Sequence, residues 1–169
     1  MSEKITHDLL CLLAEKFLTR NSFGVVFHDK FKAVTSTGEQ PDCLGFRNGV
    51  SCLIECKISR SDFLADKKKK FRINPELGMG DWRFYLAPTG LIKIEDIPIG
   101  WGLLETDGRV VRKVQGFPSN TDWYNKPFTC NKQAECDYLY SACRRMVIRG
   151  HFKEIYDGVV IEERNNGQL

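Results

Sequence analysis

A chain of 169 residues, 42% hydrophobic and 28% charged, has the composition of one soluble globular domain, long enough to bury a core without disulfide staples. Its net charge of +3 excludes nucleic-acid binding through a bulk positive field, so any such binding must come from a local patch. Seven cysteines without a CxxC pair argue against a zinc knuckle and fit a reducing cytoplasm, and no apolar run approaches the roughly 20 residues of a membrane span.

Ser2, Glu3 and Lys4 lead straight into an amphipathic segment, which reads as a chain without a signal peptide. Thr6 caps an expected helix to about Arg20, with Leu9, Leu10, Leu13 and Phe17 on one side. FGVVFH, residues 23–28, reads as a strand that residues 31–35 continue or pair with. After the segment GEQPDCLGFRNGVSCLIECK, Ser59 or Ser61 opens a second helix, SDFLADKKKKF, that must end before Pro75. WRFYLA, WGLLE and RVVRKV read as three further strands, the last two joined at Asp107-Gly108. Residues 115–130 read as an irregular loop, followed by a helix from about Gln133 to Arg149 and a frayed polar tail. Cys136, Leu139, Tyr140, Cys143, Met146 and Val147 repeat at helical spacing, as a buried stripe with free thiols would. The expectation is a single α/β domain over residues 1–169: a core at about 5–105, a hairpin, loop and helix at 106–156, and a tail at 157–169.

The chemistry concentrates in SCLIECK, a strand-like run that carries Glu55 and Lys57 where an unpaired charge is costly to bury. Asn48-Gly49 is a strong hairpin signal, because a type I′ turn needs positive φ at both central residues. Counting outward from that loop pairs Arg47 with Val50 and, five steps on, Asp42 with Glu55. Directly opposed side chains share a face, and Lys57, two residues beyond Glu55, shares it too. Two opposed carboxylates repel unless a cation sits between them, and Mg²⁺, with Mn²⁺ as a substitute, favours one or two carboxylates plus phosphate and water oxygens. The plain alternative is a solvated Glu55–Lys57 pair on an open sheet face, with Asp42 a turn residue after Pro41.

Pro41-Asp42 and Glu55-Cys56-Lys57 together resemble the motif of the PD-(D/E)xK nuclease superfamily, over about residues 5–105. The longer string GEQPDCLGF…LIECKISRSDFLADKKKKFR is similar to small bacterial and phage proteins of the MmcB-like DNA-repair type. The resemblance implies a restriction-endonuclease-like αβββαβ core with a mixed central sheet flanked by helices. It implies a Mg²⁺-dependent nuclease, a hydrolase of DNA phosphodiester bonds, in a bacterial cell or a phage-infected host. Asp42 and Glu55 would be metal ligands, the carbonyl of Cys56 would complete the metal shell, and Lys57 would be the catalytic lysine. Some members add an acid from the first helix, where Glu15 is the candidate and a surface glutamate the alternative. Glu39 is expected on the face opposite Asp42 unless a turn at Pro41 redirects it. Arg60, Ser61 and Asp62 stand near the position where the family often has a glutamine, a departure from its pattern.

Lys67, Lys68, Lys69, Lys70 and Arg72 form the densest basic run, ordinarily a solvated helix face. Because this helix follows the motif strand, its basic face, with Arg60, is expected to track a DNA backbone; RNA stays open as a substrate. Arg144, Arg145 and Arg149 extend the track or form a solvated face. Trp82, Phe84 and Tyr85 read as core, while Trp123 and Tyr124 are the aromatic pair placed to meet an unpaired base. The rival readings are a catalytically silent nucleic-acid-binding or inhibitor protein, and a homodimer or larger nuclease assembly in which the site works only with partners.

Overall fold

Thr6 accepts a hydrogen bond from Leu9 N in the computed structural model, which describes residues 4–157, and so caps helix α1, His7–Arg20. Leu10, Leu13, Ala14, Phe17 and Leu18 recur every three or four residues along α1 and are buried against one face of a six-stranded sheet. The strands are β1 (Val25–His28), β2 (Cys43–Arg47), β3 (Val50–Cys56), β4 (Trp82–Pro88), β5 (Trp101–Thr106) and β6 (Val111–Gln115), ordered spatially as they are in sequence. β1–β2, β2–β3 and β5–β6 pair antiparallel, whereas β3–β4 and β4–β5 are parallel. A parallel neighbour needs a crossover, and helices α2 (Arg60–Asp66) and α3 (Lys70–Ile73) lie within the one between β3 and β4. The order α1, β1, β2, β3, α2, β4 is the expected αβββαβ core, and the mixed α/β class with a C-terminal helix is as expected.

Alternation along β3 divides its side chains between two cores. Cys52, Ile54 and Cys56 face α1, while Leu53 joins Leu44, Phe63, Tyr85 and Trp101 on the other side. All seven residues of β3 are buried, so its Ser51 and Glu55 need partners within the protein.

Helix α4, Lys132–Ile148, docks through its first turns, where Ala134, Glu135 and Tyr138 are buried. Polar contacts fix it there. Ser51 Oγ and Gly80 N donate to Glu135 Oε1 at 2.6 and 2.9 Å, and Lys132 Nζ bridges Asp81 Oδ2 and Glu135 Oε2 at 2.9 Å each. Ser51 N and Cys130 Sγ complete Asp81 at 3.0 and 3.3 Å. Gly80 sits at φ 87°, and a Cβ there would come within 2.7 Å of Leu53 Cβ, so only glycine lets that loop approach β3.

Several local expectations change. Residues 31–35 form no strand. They belong to an extended connection whose Ala33, Thr35, Thr37 and Glu39 alternate inward without a ladder partner. Gly49 has φ 72° but Asn48 is not at positive φ, so the turn is not type I′, although Arg47 still pairs with Val50. The stripe on α4 is not a buried one: Cys136, Cys143, Tyr140, Met146 and Val147 are exposed, because the helix leaves the sheet after Tyr138. Trp123 is buried, edge-on to Phe23, Trp82 and Phe117, and leaves only Tyr124 of that pair exposed. Trp82 stays partly buried while Phe84 and Tyr85 are core, as expected. The tail ERNNGQL lies outside the described residues.

Candidate active site

The β2–β3 ladder runs Cys43 to Ile54 and Arg47 to Val50, the register counted from the sequence. One step beyond Cys43, Asp42 has left the ladder, and its Oδ2 accepts from Cys56 N at 2.9 Å. Its Oδ1 lies 3.3 Å from Nε2 of His7 on α1. Burial opposes the charge of Asp42, but the bonds from His7 and Cys56 N and the nearby Lys57 hold its carboxyl below the usual range. Asp42 raises the pKa of His7 to about 9.

Glu55 points into a lattice of alternating charge. Lys57 Nζ donates to Glu55 Oε2 at 3.0 Å and to Asp66 Oδ1, from α2, at 3.3 Å. Arg72, from α3, reaches Asp66 through Nε at 2.9 Å and Glu39 through Nη1 at 2.7 Å, and its Nη2 stands 3.0 Å from Glu55 Oε1. Lys69 closes the outside, 2.6 Å from Asp66 Oδ1 and 3.6 Å from Glu55 Oε2. Tyr85, the Cα partner of Glu55 on β4, donates its hydroxyl to Asp66 at 2.9 Å, and Met79 N donates to Glu39 at 2.7 Å.

This wiring explains the break between α2 and α3. On one helix Asp66 and Arg72 would be six residues, about 240°, apart and could not converge. Interrupting the helix at residues 67–69 turns both inward. The expected continuous basic helix is therefore not formed. Arg72 is buried in ion pairs, Lys69 is turned onto Asp66, and Lys67 donates to Asp96 O at 2.6 Å over the Phe63 ring. Arg60 pairs with Asp96 at 2.7 Å, while Lys68 and Lys70 are exposed.

Charge balance is uneven within the lattice. Burial first, then Asp42, pushes the Glu55 carboxyl up to about 7, despite Arg72 and Lys57. Burial also opposes ionised Asp66, yet Arg72, Lys57 and Lys69 hold it far below the usual range. Burial disfavours charged Lys57, but Glu55, Asp66 and Asp42 outweigh it and raise its pKa. Glu55 Oε1 and Arg72 Nη2 are close but misaligned, and both are buried without a hydrogen bond. Asp42, Glu55 and the Cys56 carbonyl are the oxygen groups here that could hold a hard divalent cation, and Glu55 Oε1 would give up its ion pair with Arg72 to do so. From solvent, an open pocket of about 410 Å³, lined by Lys67, Arg72, Tyr85, Ile97, Pro98 and Trp101, adjoins the lattice.

Glu15 is not brought to this cluster. It stands two turns, about 12 Å, along α1 from His7, with its carboxylate 4.0 Å from His28 Nε2. Glu39 lies before β2, outside any strand, and joins the lattice through Arg72 and Met79 N. Sequence reasoning gave no site role to Asp66, Tyr85 or His7. For Asp66 a signal existed: it lies one turn after buried Phe63 and shares that helix face.

Fold and site together define a mixed α/β protein with a buried acid–base lattice at the C-terminal end of a central strand. No protein-family model matches the chain, and no curated protein matches it. Among solved structures it is similar to a protein of unknown function from Silicibacter pomeroyi, with 24% identity and a TM-score of 0.58 over 95% of this chain and 100% of that one. At this identity the likeness speaks to the fold alone. No helix among the described residues is long and apolar enough to cross a membrane.

Proposed function

We propose that the protein is a divalent-metal-dependent nuclease that hydrolyses phosphodiester bonds in DNA, in the cytoplasm of a bacterial cell or a phage-infected host. The observation that supports this reading is Asp42, one residue beyond the β2–β3 ladder and bonded to Cys56 N, close enough to Glu55 for its charge to push that buried carboxyl up. Asp42, Glu55 and the carbonyl of Cys56 would hold Mg²⁺ or Mn²⁺, which when bound lowers the pKa of a water and offsets charge on a phosphoryl group. Lys57, kept cationic by Glu55, Asp66 and Asp42, supplies the positive charge that meets the extra negative charge of the transition state. Glu55, pushed up to about 7 in the metal-free protein, would have to release its proton to bind the ion. Arg72 and Tyr85 hold Asp66, and Asp66 in turn orients Lys57.

A second reading has one specific observation in its favour. Glu39, Glu55 and Asp66 already face Lys57, Lys69 and Arg72, a self-neutralised lattice that needs no metal. A silent nucleic-acid-binding or inhibitor protein of this fold would look the same. The two readings separate when purified protein is incubated with single-stranded, duplex, nicked and branched DNA, and with RNA, plus Mg²⁺ or Mn²⁺. Cleavage that EDTA abolishes and Asp42→Ala eliminates is the expected result. Binding without cleavage of any substrate favours the silent protein.

A further inference from the structure

We propose that His7, Cys11 and Asp29 form a second metal site, selective for zinc or a similar borderline-soft transition ion. One ligand atom from each lies within 4.8 Å of the others. His7 and Cys11 are one turn apart on α1 and share a face. His7 Nδ1 is 3.6 Å from Cys11 Sγ and 4.0 Å from Asp29 Oδ2. Zinc bonds of about 2.0–2.1 Å to nitrogen and about 2.3 Å to sulfur, held tetrahedrally, separate those donors by roughly 3.5 Å. The first separation already matches, and the second needs a contraction of about half an ångström. Cys11 Sγ is also 3.9 Å from Nε2, so a rotation of the His7 ring accompanies binding.

Two neighbours complete the arrangement. His28 Nδ1 lies 3.2 Å from the other oxygen of Asp29 and orients that carboxylate. On the far side of His7, Nε2 faces Asp42 Oδ1 at 3.3 Å. A carboxylate on the remaining ring nitrogen of a ligating histidine is the usual outer shell of a zinc site, where it fixes the tautomer and the ring orientation. His7 and Asp29 are partly open to solvent, which gives an ion a way in, while Cys11 lies at the buried end. Softness distinguishes this site from the oxygen donors at Glu55: nitrogen and sulfur select zinc, carboxylate and carbonyl select magnesium. In one respect the inference rests on the proposed function: a metal on His7 would hold Asp42 in place for the hydrolytic site.

Cobalt(II) titration of the full chain, followed by absorption, tests the site. Wild type is expected to show tetrahedral d–d bands and a thiolate-to-cobalt charge-transfer band, both lost on adding Zn²⁺. Cys11→Ser removes the charge-transfer band, and His7→Gln and Asp29→Asn each weaken cobalt binding more than tenfold. Should Cys11→Ser fail to fold, the two partly exposed variants carry the test. A charge-transfer band that persists in Cys11→Ser places the metal on exposed Cys136 or Cys143 and overturns the proposal, as does the absence of any such band in wild type. Glu55→Gln, which disables the oxygen site, leaves the cobalt spectrum unchanged, so the two metal readings fail independently.

Discussion

Two charged clusters lie on the same face of β3, at opposite ends, and they are wired differently. At the N-terminal end, Asp81 and Glu135 receive bonds from Ser51, Gly80 N, Cys130 and Lys132, and no buried oxygen of either lacks a partner. Burial works against Asp81, but Lys132, Ser51 N and Cys130 still hold its carboxyl below the usual range. At the C-terminal end, Glu55 Oε1 is held only by an ion pair with Arg72, 3.0 Å away without hydrogen-bond alignment, and the carboxyl is pushed up to about 7. A satisfied cluster fastens a helix to a sheet. A cluster whose carboxylate is imperfectly bonded and raised toward neutrality is the candidate site of the two, since perturbed carboxylates gather at functional sites.

The largest expected effect separates the two lysines. Lys57→Ala should lower the cleavage rate of the folded protein by roughly 10²–10³, as loss of one electrostatic donor does, and should also lower its melting temperature, because it leaves Glu55 and Asp66 short of a buried partner. Lys132→Ala should leave the rate of the folded protein unchanged and lower only its melting temperature. Equal cleavage by wild type and Lys57→Ala would remove the C-terminal cluster from the chemistry.

Next come the carboxylates. Asp81→Ala leaves buried Ser51 N without its acceptor, while Lys132, 58% exposed, keeps Glu135, and each buried donor left unpaired costs about 1–3 kcal/mol in urea unfolding. A loss much smaller than that would mean the N-terminal cluster is not the fastening. Glu55→Gln should behave oppositely in metal-free buffer. The folded-state pKa of about 7 exceeds the ordinary 4.5, so folded protein holds this proton more tightly than unfolded protein does. The Glu55 contribution is therefore fully present below pH 4.5 and lost as pH rises through 7. Against wild type, Glu55→Gln should unfold at higher temperature at pH 8 and show no such gain at pH 5. Melting curves in EDTA at both pH values decide it, and a gain equal at both would mean that Glu55 does not titrate as described.

The smallest effect is thermal stabilisation by metal. Mg²⁺ or Mn²⁺ at about 100 times its dissociation constant adds ~2.7 kcal/mol to a protein that binds it only when folded. Wild type and the Lys132→Ala variant should respond, and Asp42→Ala should not. An identical shift in all three would detach the ion from Asp42.

Much of this was legible in local sequence. The Thr6 cap, the periodicity of α1 and the alternation in β3 are properties of a few neighbouring residues, and each formed as read. The short Asn48-Gly49 loop set the β2–β3 register, because loop length counts residues whichever turn type forms. That was enough to single out Asp42, Glu55 and Lys57. What converges on them was not legible. His7, Glu39, Asp66, Arg72 and Tyr85 come from α1, an extended connection, α2, α3 and β4, and no spacing relates them. The basic run is the clearest case. In sequence it is a solvated or DNA-facing helix, but buried Asp66 and Glu55 draw Arg72 and Lys69 inward and break that helix. Local pattern determines which elements form and which face they bury. Only tertiary packing decides which distant charges must neutralise one another, because the penalty for leaving one unpaired arises only once water is excluded.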